Sequence, residues 1–162
     1  MKLLDRDGLK ADPYVRTDED WAAPAILVPL ERLGEALAVR RHGQHVGVEL
    51  PNSSPAAFLL PVQDSLDLVA IAFPKFSDGR GFSIGRALRD QGYRGTLRAS
   101  GALIPDQFAF ALDCGFDEVE ISDEQAARQP EAQWLQALTT IGVTYLDRGS
   151  HGSIPERRRA SA

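Results

Sequence analysis

From Leu66 to Phe73 the chain is almost continuously apolar, reading Leu66-Asp67-Leu68-Val69-Ala70-Ile71-Ala72-Phe73, as a parallel strand covered on both faces should be. A turn from Phe73 to Ser83 follows, and beyond it Ile84, Ala87 and Leu88 fall at i, i+3 and i+4, the spacing of one helix face. Two further strands are predicted over Thr96–Gly101 and Glu118–Ser122. A helix separates them, opened by Pro105 and closed after Cys114 by Gly115. The order across Leu66–Ile121 is therefore β-α-β-α-β, and such units gather their loops at the carboxyl ends of the strands, where α/β proteins bind ligands.

The flanks are weaker in pattern. Residues 1–23 carry charge, the Asp12-Pro13 pair and little periodicity, which predicts irregular structure with one short strand, anchored by Trp21. Ala25–Leu30 reads as a short strand or an apolar lead-in, and Pro29 places it at an edge or ends it early. Leu33, Ala36 and Leu37 make a helix face within Glu31–Arg41, closed by Gly43. Val46–Leu50 alternates as a strand does and stops at Pro51. A short helix follows, capped by Ser54 with Pro55 in its first position and interrupted by Pro61. A helix over Glu131–Leu138 and a last strand over Val143–Leu146 complete the ordered part. Together these predict one α/β domain, residues 1–148, with a mostly parallel sheet of βαβ units, followed by a flexible C-terminal tail, residues 149–162, that has nothing to bury. A closed eightfold barrel usually takes about 250 residues, so an open sheet or a partial barrel is expected.

Composition narrows the function. The chain has 162 residues, 43% of them apolar, enough for one ordinary core. A net charge of −5 argues against broad nucleic-acid binding, which needs a basic face to release counterions from phosphates, and makes no electrostatic case for a membrane surface. No apolar run approaches the roughly 20 residues that span a bilayer, and the first residues do not form a signal peptide, so a cytoplasmic location is expected. The single cysteine, Cys114, excludes an internal disulfide and cannot alone hold zinc or an iron–sulfur cluster. No cofactor or metal is expected.

The turn after the first core strand is the place to look for chemistry. Backbone N–H groups at a helix N-terminus favour an anion, and here Lys75 and Arg80 add charge while Gly79 and Gly81 relax the backbone. Lys75, Ser77, Asp78, Gly79, Arg80 and Gly81 thus form the loop part of a candidate site for a small oxyanion or a phosphate-bearing ligand. The other reading is a tight turn in which Asp78 pairs with Arg80 or Lys75. Neither the phosphate-binding loop with its Gly-Lys-Ser/Thr ending nor the three-glycine dinucleotide fingerprint is present. Arg98 shares one strand face with Thr96 and Ser100 and needs a partner if it is buried. Asp106, at the start of the next helix, is one candidate; a ligand shared with Lys75 is another. Cys114 reads as a buried small hydrophobe, and His42, His45 and His151 as solvated side chains without metal-ligand spacing.

The segment F-P-K-F-S-D-G-R-G-F-S-I-G-R-A-L-R-D-Q-G-Y-R-G-T-L-R-A-S-G-A-L-I-P-D-Q-F, with D-C-G-F-D-E-V-E-I after it, resembles a bacterial family of unknown function labelled "oxidoreductase probably involved in sulfite reduction". Lys75, Asp78, Gly79, Arg80, Arg86, Arg89, Arg98, Gly101 and Asp106 match its pattern, while Ala99-Ser100-Gly101 departs from it slightly. The resemblance implies a part in assimilatory sulfur metabolism, beside sulfite reductase as partner, without defining a reaction. A six-electron reduction needs cofactors, and the chain has neither a cysteine cluster nor a flavin or nicotinamide fingerprint. The expectation is therefore an accessory protein of sulfite reduction with an anion-binding crevice. An enzyme acting on a phosphorylated or sulfur-bearing small molecule, and a non-catalytic interaction protein, are the alternatives.

Overall fold

The computed structural model describes residues 1–145, with side chains described through Thr140. Eight strands form one sheet: β1 (Lys2–Asp5), β2 (Gly8–Lys10), β3 (Val15–Arg16), β4 (Ala25–Pro29), β5 (His45–Leu50), β6 (Leu68–Phe73), β7 (Thr96–Gly101) and β8 (Glu118–Ile121). The helices are α1 (Leu33–Ala38), α2 (Arg80–Asp90), α3 (Pro105–Asp113), α4 (Asp123–Arg128) and α5 (Glu131–Tyr145). The spatial order of strands is β2-β1-β8-β7-β6-β5-β4-β3. From β3 to β8 every pairing is parallel, but β1 lies antiparallel to both β8 and β2. The sheet is therefore mixed, a correction to the mostly parallel sheet expected, because the N-terminal residues supply a hairpin that needs no crossover helix.

Period-two alternation divides the strands between two environments. Val46, Val48, Val69, Ile71, Leu97 and Val119 point to the helix-covered face and are fully buried in the main core. There Phe73 packs against Phe82 of α2 with ring centroids 4.8 Å apart, and Phe108 of α3 meets Trp134 of α5 at 5.8 Å. The alternate residues Glu49, Ala70, Arg98, Glu118 and Glu120 point the other way, onto a face with no helix. Arg16 on β3 donates to Glu49 on β5 and also to Glu120 on β8. Laid flat, β3 and β8 would stand about 24 Å apart at the usual strand spacing, far beyond the reach of one arginine. The sheet is thus an open, strongly curled half-barrel, with these residues on its inner face.

The N-terminal segment accounts for the curl. β2 and β3 lie at opposite edges of the sheet yet are joined by only the four residues Ala11–Tyr14. Four residues span little more than about 17 Å even when extended, so this strap holds the two edges together across the inner face. Residues 1–23 hold three short strands where irregular structure with one was expected, since pieces of two to four residues show no readable period. Asn52–Leu66 contains 3-10 turns at Ala56–Leu59 and Gln63–Ser65 in place of a short α-helix. Val143–Tyr145, expected as strand, continue α5. Leu146 and the 149–162 tail lie outside the described residues. No helix among the described residues is long and apolar enough to cross a membrane.

Candidate functional site

The inner face is built from charges that the sequence spaces two apart on adjacent strands. β7 and β8 run in register with Arg98 beside Glu118 and Ser100 beside Glu120, so alternation alone stacks these four side chains on one face. Arg98 is fully buried and each of its three nitrogens donates to a carboxylate. Its Nε donates to Glu118 at 2.7 Å, and its two terminal nitrogens grip Asp12 of the strap at 2.7 and 2.8 Å. The Tyr14 ring lies 5.7 Å from the guanidinium. Lys10 joins the other side of Glu118 at 2.7 Å and reaches Asp5 at 3.2 Å. Glu120 accepts both terminal nitrogens of Arg16 and the Ser100 hydroxyl at 3.0 Å.

Charge balance decides what this network can do. Burial pushes the Glu120 carboxyl up, but the Arg16 hydrogen bonds and charge, with Arg98 and Ser100, outweigh it and hold the group below its ordinary value. Asp12 behaves alike: burial raises it, and the Arg98 hydrogen bonds bring it down. Burial, with the Asp67 charge next, pushes the Tyr14 hydroxyl up to about 12. Five carboxylates, Asp5, Asp12, Glu49, Glu118 and Glu120, surround three cations, Lys10, Arg16 and Arg98. An added anion would meet a field already negative, so these arginines hold the half-barrel closed.

Arg98 accordingly does not pair with Asp106. Its carboxylate partners come from the strap and from β8, while Asp106 is exposed in the first turn of α3. Sequence reasoning overlooked Asp12, Arg16, Glu118 and Glu120. The Glu-Val-Glu alternation at 118–120 beside Arg-Ala-Ser at 98–100 was the available signal for the pair on β8; the strap's part required the three-dimensional curl.

The second group of candidate residues sits on the β6–α2 loop, at the carboxyl end of the central strand. Asp78 accepts from the Arg80 side chain at 2.6 Å, from the Arg80 backbone N–H at 3.2 Å and from the buried Asn52 amide at 2.9 Å. The Arg80 hydrogen bonds, foremost, hold the Asp78 carboxyl far below the usual range. Asp78 thus serves as the anion at the start of α2. Gly79 has φ −80°, which any residue adopts, and Gly81 is needed for packing: a Cβ there would lie 2.4 Å from the Phe73 ring. Ser77 is exposed. Lys75 is exposed and makes no ion pair among the described residues, and its neighbour Phe76 is 59% exposed. The loop therefore presents a cation and an aromatic ring on a base that is internally braced. Arg98 lines a cavity with Tyr14 and Thr96, whereas Phe76 of this loop lines a different one with Leu103 and Gln125.

Other matched positions have structural duties. Arg89 donates to the carbonyls of Gly115, Tyr93 and Gly95 and to Asp117 at 2.7–2.9 Å, stapling the end of α2 to the start of β8. Among the described residues Arg86 makes only an exposed pair with Asp90 at 3.4 Å. Gly101 has φ +125°, and a Cβ there would stand 2.4 Å from the Phe73 carbonyl oxygen, so both conformation and space require glycine. Cys114 is partly buried, and burial pushes its thiol up. At the amino end of the half-barrel, His45 Nδ1 lies 2.9 Å from Asp67, beside a cavity of about 340 Å³ that Tyr14, Thr96 and Arg98 also line. His42 is exposed; His151 lies outside the described residues.

The chain belongs to the family described as bacterial protein of unknown function (DUF934), whose model matches residues 47–152. That span runs from within β5 through α5, and hence includes the loop, Arg98, Glu118 and Glu120, but not the strap. No curated protein matches the chain.

Proposed function

We propose that this chain is an accessory protein of assimilatory sulfite reduction, acting beside sulfite reductase through the β6–α2 loop. Lys75 is the cation that meets an oxyanion or an acidic patch of the partner, and Phe76 supplies apolar contact next to it. One observation carries this reading: on a loop whose remaining charges are paired with each other, Lys75 is exposed and without an ion pair among the described residues, at the carboxyl end of the central parallel strand. The sulfur assignment itself rests on the resemblance of Phe73–Ile121 to proteins labelled as involved in sulfite reduction. A deletion strain carrying Lys75→Glu with Phe76→Ala is expected to fail on sulfate or sulfite and to grow on sulfide, with the melting temperature of the purified variant unchanged. Normal growth on sulfate would remove the loop from the account. Calorimetry with sulfite, sulfate and phosphate separates an oxyanion ligand from an acidic protein surface.

A second reading, an enzyme acting on a phosphorylated or sulfur-bearing small molecule, has one feature in its favour. The Asp67–His45 contact orients an imidazole whose Nε2 makes no hydrogen bond among the described residues. Asp67 is fixed by Arg40 and the Val46 N–H, each at 2.9 Å. Loss of complementation by a folded His45→Ala protein, with Lys75→Glu growing normally, would exchange the two readings.

A further inference from the structure

Asp12 meets Arg98 in the geometry that proteins use to hold a carboxylate ligand. Nε of Arg98 is fixed by Glu118 at 2.7 Å, which leaves the two terminal nitrogens as a fork, and both donate to Asp12, at 2.7 and 2.8 Å. A planar guanidinium with a parallel pair of N–H groups matches a carboxylate in this manner. The fork is part of the sheet: the Arg98 side chain is 1% exposed, in the middle of β7, with Glu118 beside it on β8. The carboxylate that fills it is held less firmly. Ala11, Asp12 and Pro13 are exposed, and the Asp12 side chain keeps contact with water. Of the strap, only Tyr14 packs on apolar residues, the inner-face cluster of Leu27, Leu68 and Ala70. A segment with so few buried apolar contacts opens at low cost in free energy.

Beside the pair lies a cavity of about 340 Å³, lined by Pro13 and Tyr14 from the strap and by His45, Thr96 and Arg98 from the sheet. The Tyr14 and Thr96 hydroxyls and His45 Nε2 make no hydrogen bond among the described residues. A few polar groups converging on a cavity beside an arginine fork fit the remainder of a small polar acid, whose carboxylate the fork would hold. Charge permits the exchange. An anion added to the inner face meets a negative field, but one that takes the place of Asp12, with Asp12 released into water, leaves the charge beside Arg98 as it was.

We propose that Arg98 is the receptor for a small polar carboxylate, and that Asp12 is an internal competitor, which fills the site at rest and swings out with the strap when the ligand enters. The inference stands on the inner face and is independent of the Lys75 loop and of the sulfur assignment.

Competition sets the sign of the test. An internal ligand acts at a high effective concentration, so removing its carboxylate tightens the binding of a free one. Full-length wild type and Asp12→Ala are titrated by ligand-observed NMR at constant ionic strength with glycolate, and with propionate as its apolar counterpart of similar size. Glycolate is expected to bind Asp12→Ala about tenfold or more tightly than wild type, and to bind both proteins better than propionate does. In wild type carrying aspartate labelled with carbon-13, saturating glycolate should move the Asp12 carboxyl resonance toward that of a solvated aspartate. Absence of glycolate binding to a folded Asp12→Ala, or equal affinity of the two proteins, would overturn the proposal. So would an Asp12 resonance that stays in place at saturation, since glycolate would then only refill a hole made by the substitution. That second measurement uses wild type alone and decides the matter even where Asp12→Ala opens the half-barrel.

Discussion

Arg98 and Arg80 come from consecutive βα units and carry the same charge, yet the fold uses them in opposite ways. On the inner face, Arg98 is buried and held by Asp12 and Glu118 on three separate hydrogen bonds. On the rim, the Arg80 side chain is 63% exposed and its one carboxylate partner among the described residues is two residues away in the same loop. The inner pair joins residues far apart in sequence, so its loss opens the fold; the rim pair shapes one turn. The difference teaches that an arginine on a strand, facing the concave side of a curled sheet, is part of the closure, and that a contact surface is better sought where charges are paired only locally, as around Lys75.

Removing the inner cation should have the largest effect. Arg98→Ala leaves Asp12 without its ion-pair partner, leaves Glu118 with Lys10 alone, and lets Glu120 keep Arg16 and Ser100. Breaking a buried ion pair by deleting one partner typically costs about 3–5 kcal/mol, to be read as a shift in the denaturant midpoint. Arg98→Met combined with Glu118→Gln should recover part of that loss, because it removes the stranded charge as well. A single variant within about 0.5 kcal/mol of wild type would mean that the network does not close the half-barrel.

Acid should separate the two regions next. Glu120 and Asp12 are held below their ordinary values of 4.5 and 3.8. Carboxyls depressed in the folded state add stability that is complete above those ordinary values and is lost as pH falls through the folded ones. The melting temperature is therefore expected to be flat from neutral pH to about 5 and to fall steeply below 4.5. In Arg98→Ala, protonation would relieve repulsion between the stranded carboxylates, so the acid slope should flatten or reverse. Wild type that melts at the same temperature at pH 3 and pH 6 would contradict the paired inner face.

Much of the helix-covered side was legible from pattern. The apolar run at Leu68–Phe73, the Pro105 and Gly115 signals around α3, and the alternation at Val46–Leu50 all mark elements that bury one or both faces, where periodicity follows from burial. The hairpin of β1 and β2 and the two-residue β3 were not legible, since strands so short carry no period and their positions depend on the curl of the sheet. The same limit applied to the site. Asp78 with Arg80 was one of two readings open from local spacing. Arg98 was rightly suspected of needing a partner, but Asp12 is 86 residues away, a separation that one sequence cannot resolve.

The smallest effect is expected on the rim. In Arg80→Ala, Asp78 loses its side-chain partner but stays in contact with water and still accepts from the Asn52 amide and from the backbone N–H of residue 80. No buried charge is stranded, and exposed pairs add little because solvent competes for both members. Alanine is also the best helix former for the first residue of α2. Arg80→Ala should therefore match wild type in melting temperature and in circular dichroism, in contrast to Arg98→Ala. Growth of the two variants on sulfate then distinguishes contact from closure. If the rim acts through Lys75, Arg80→Ala weakens complementation only as far as the loop loses its shape, whereas Lys75→Glu abolishes it at equal stability. A fall of several degrees in the melting temperature of Arg80→Ala would show that the Asp78 turn carries structural weight comparable to the inner face, and the contrast between the two arginines would not hold.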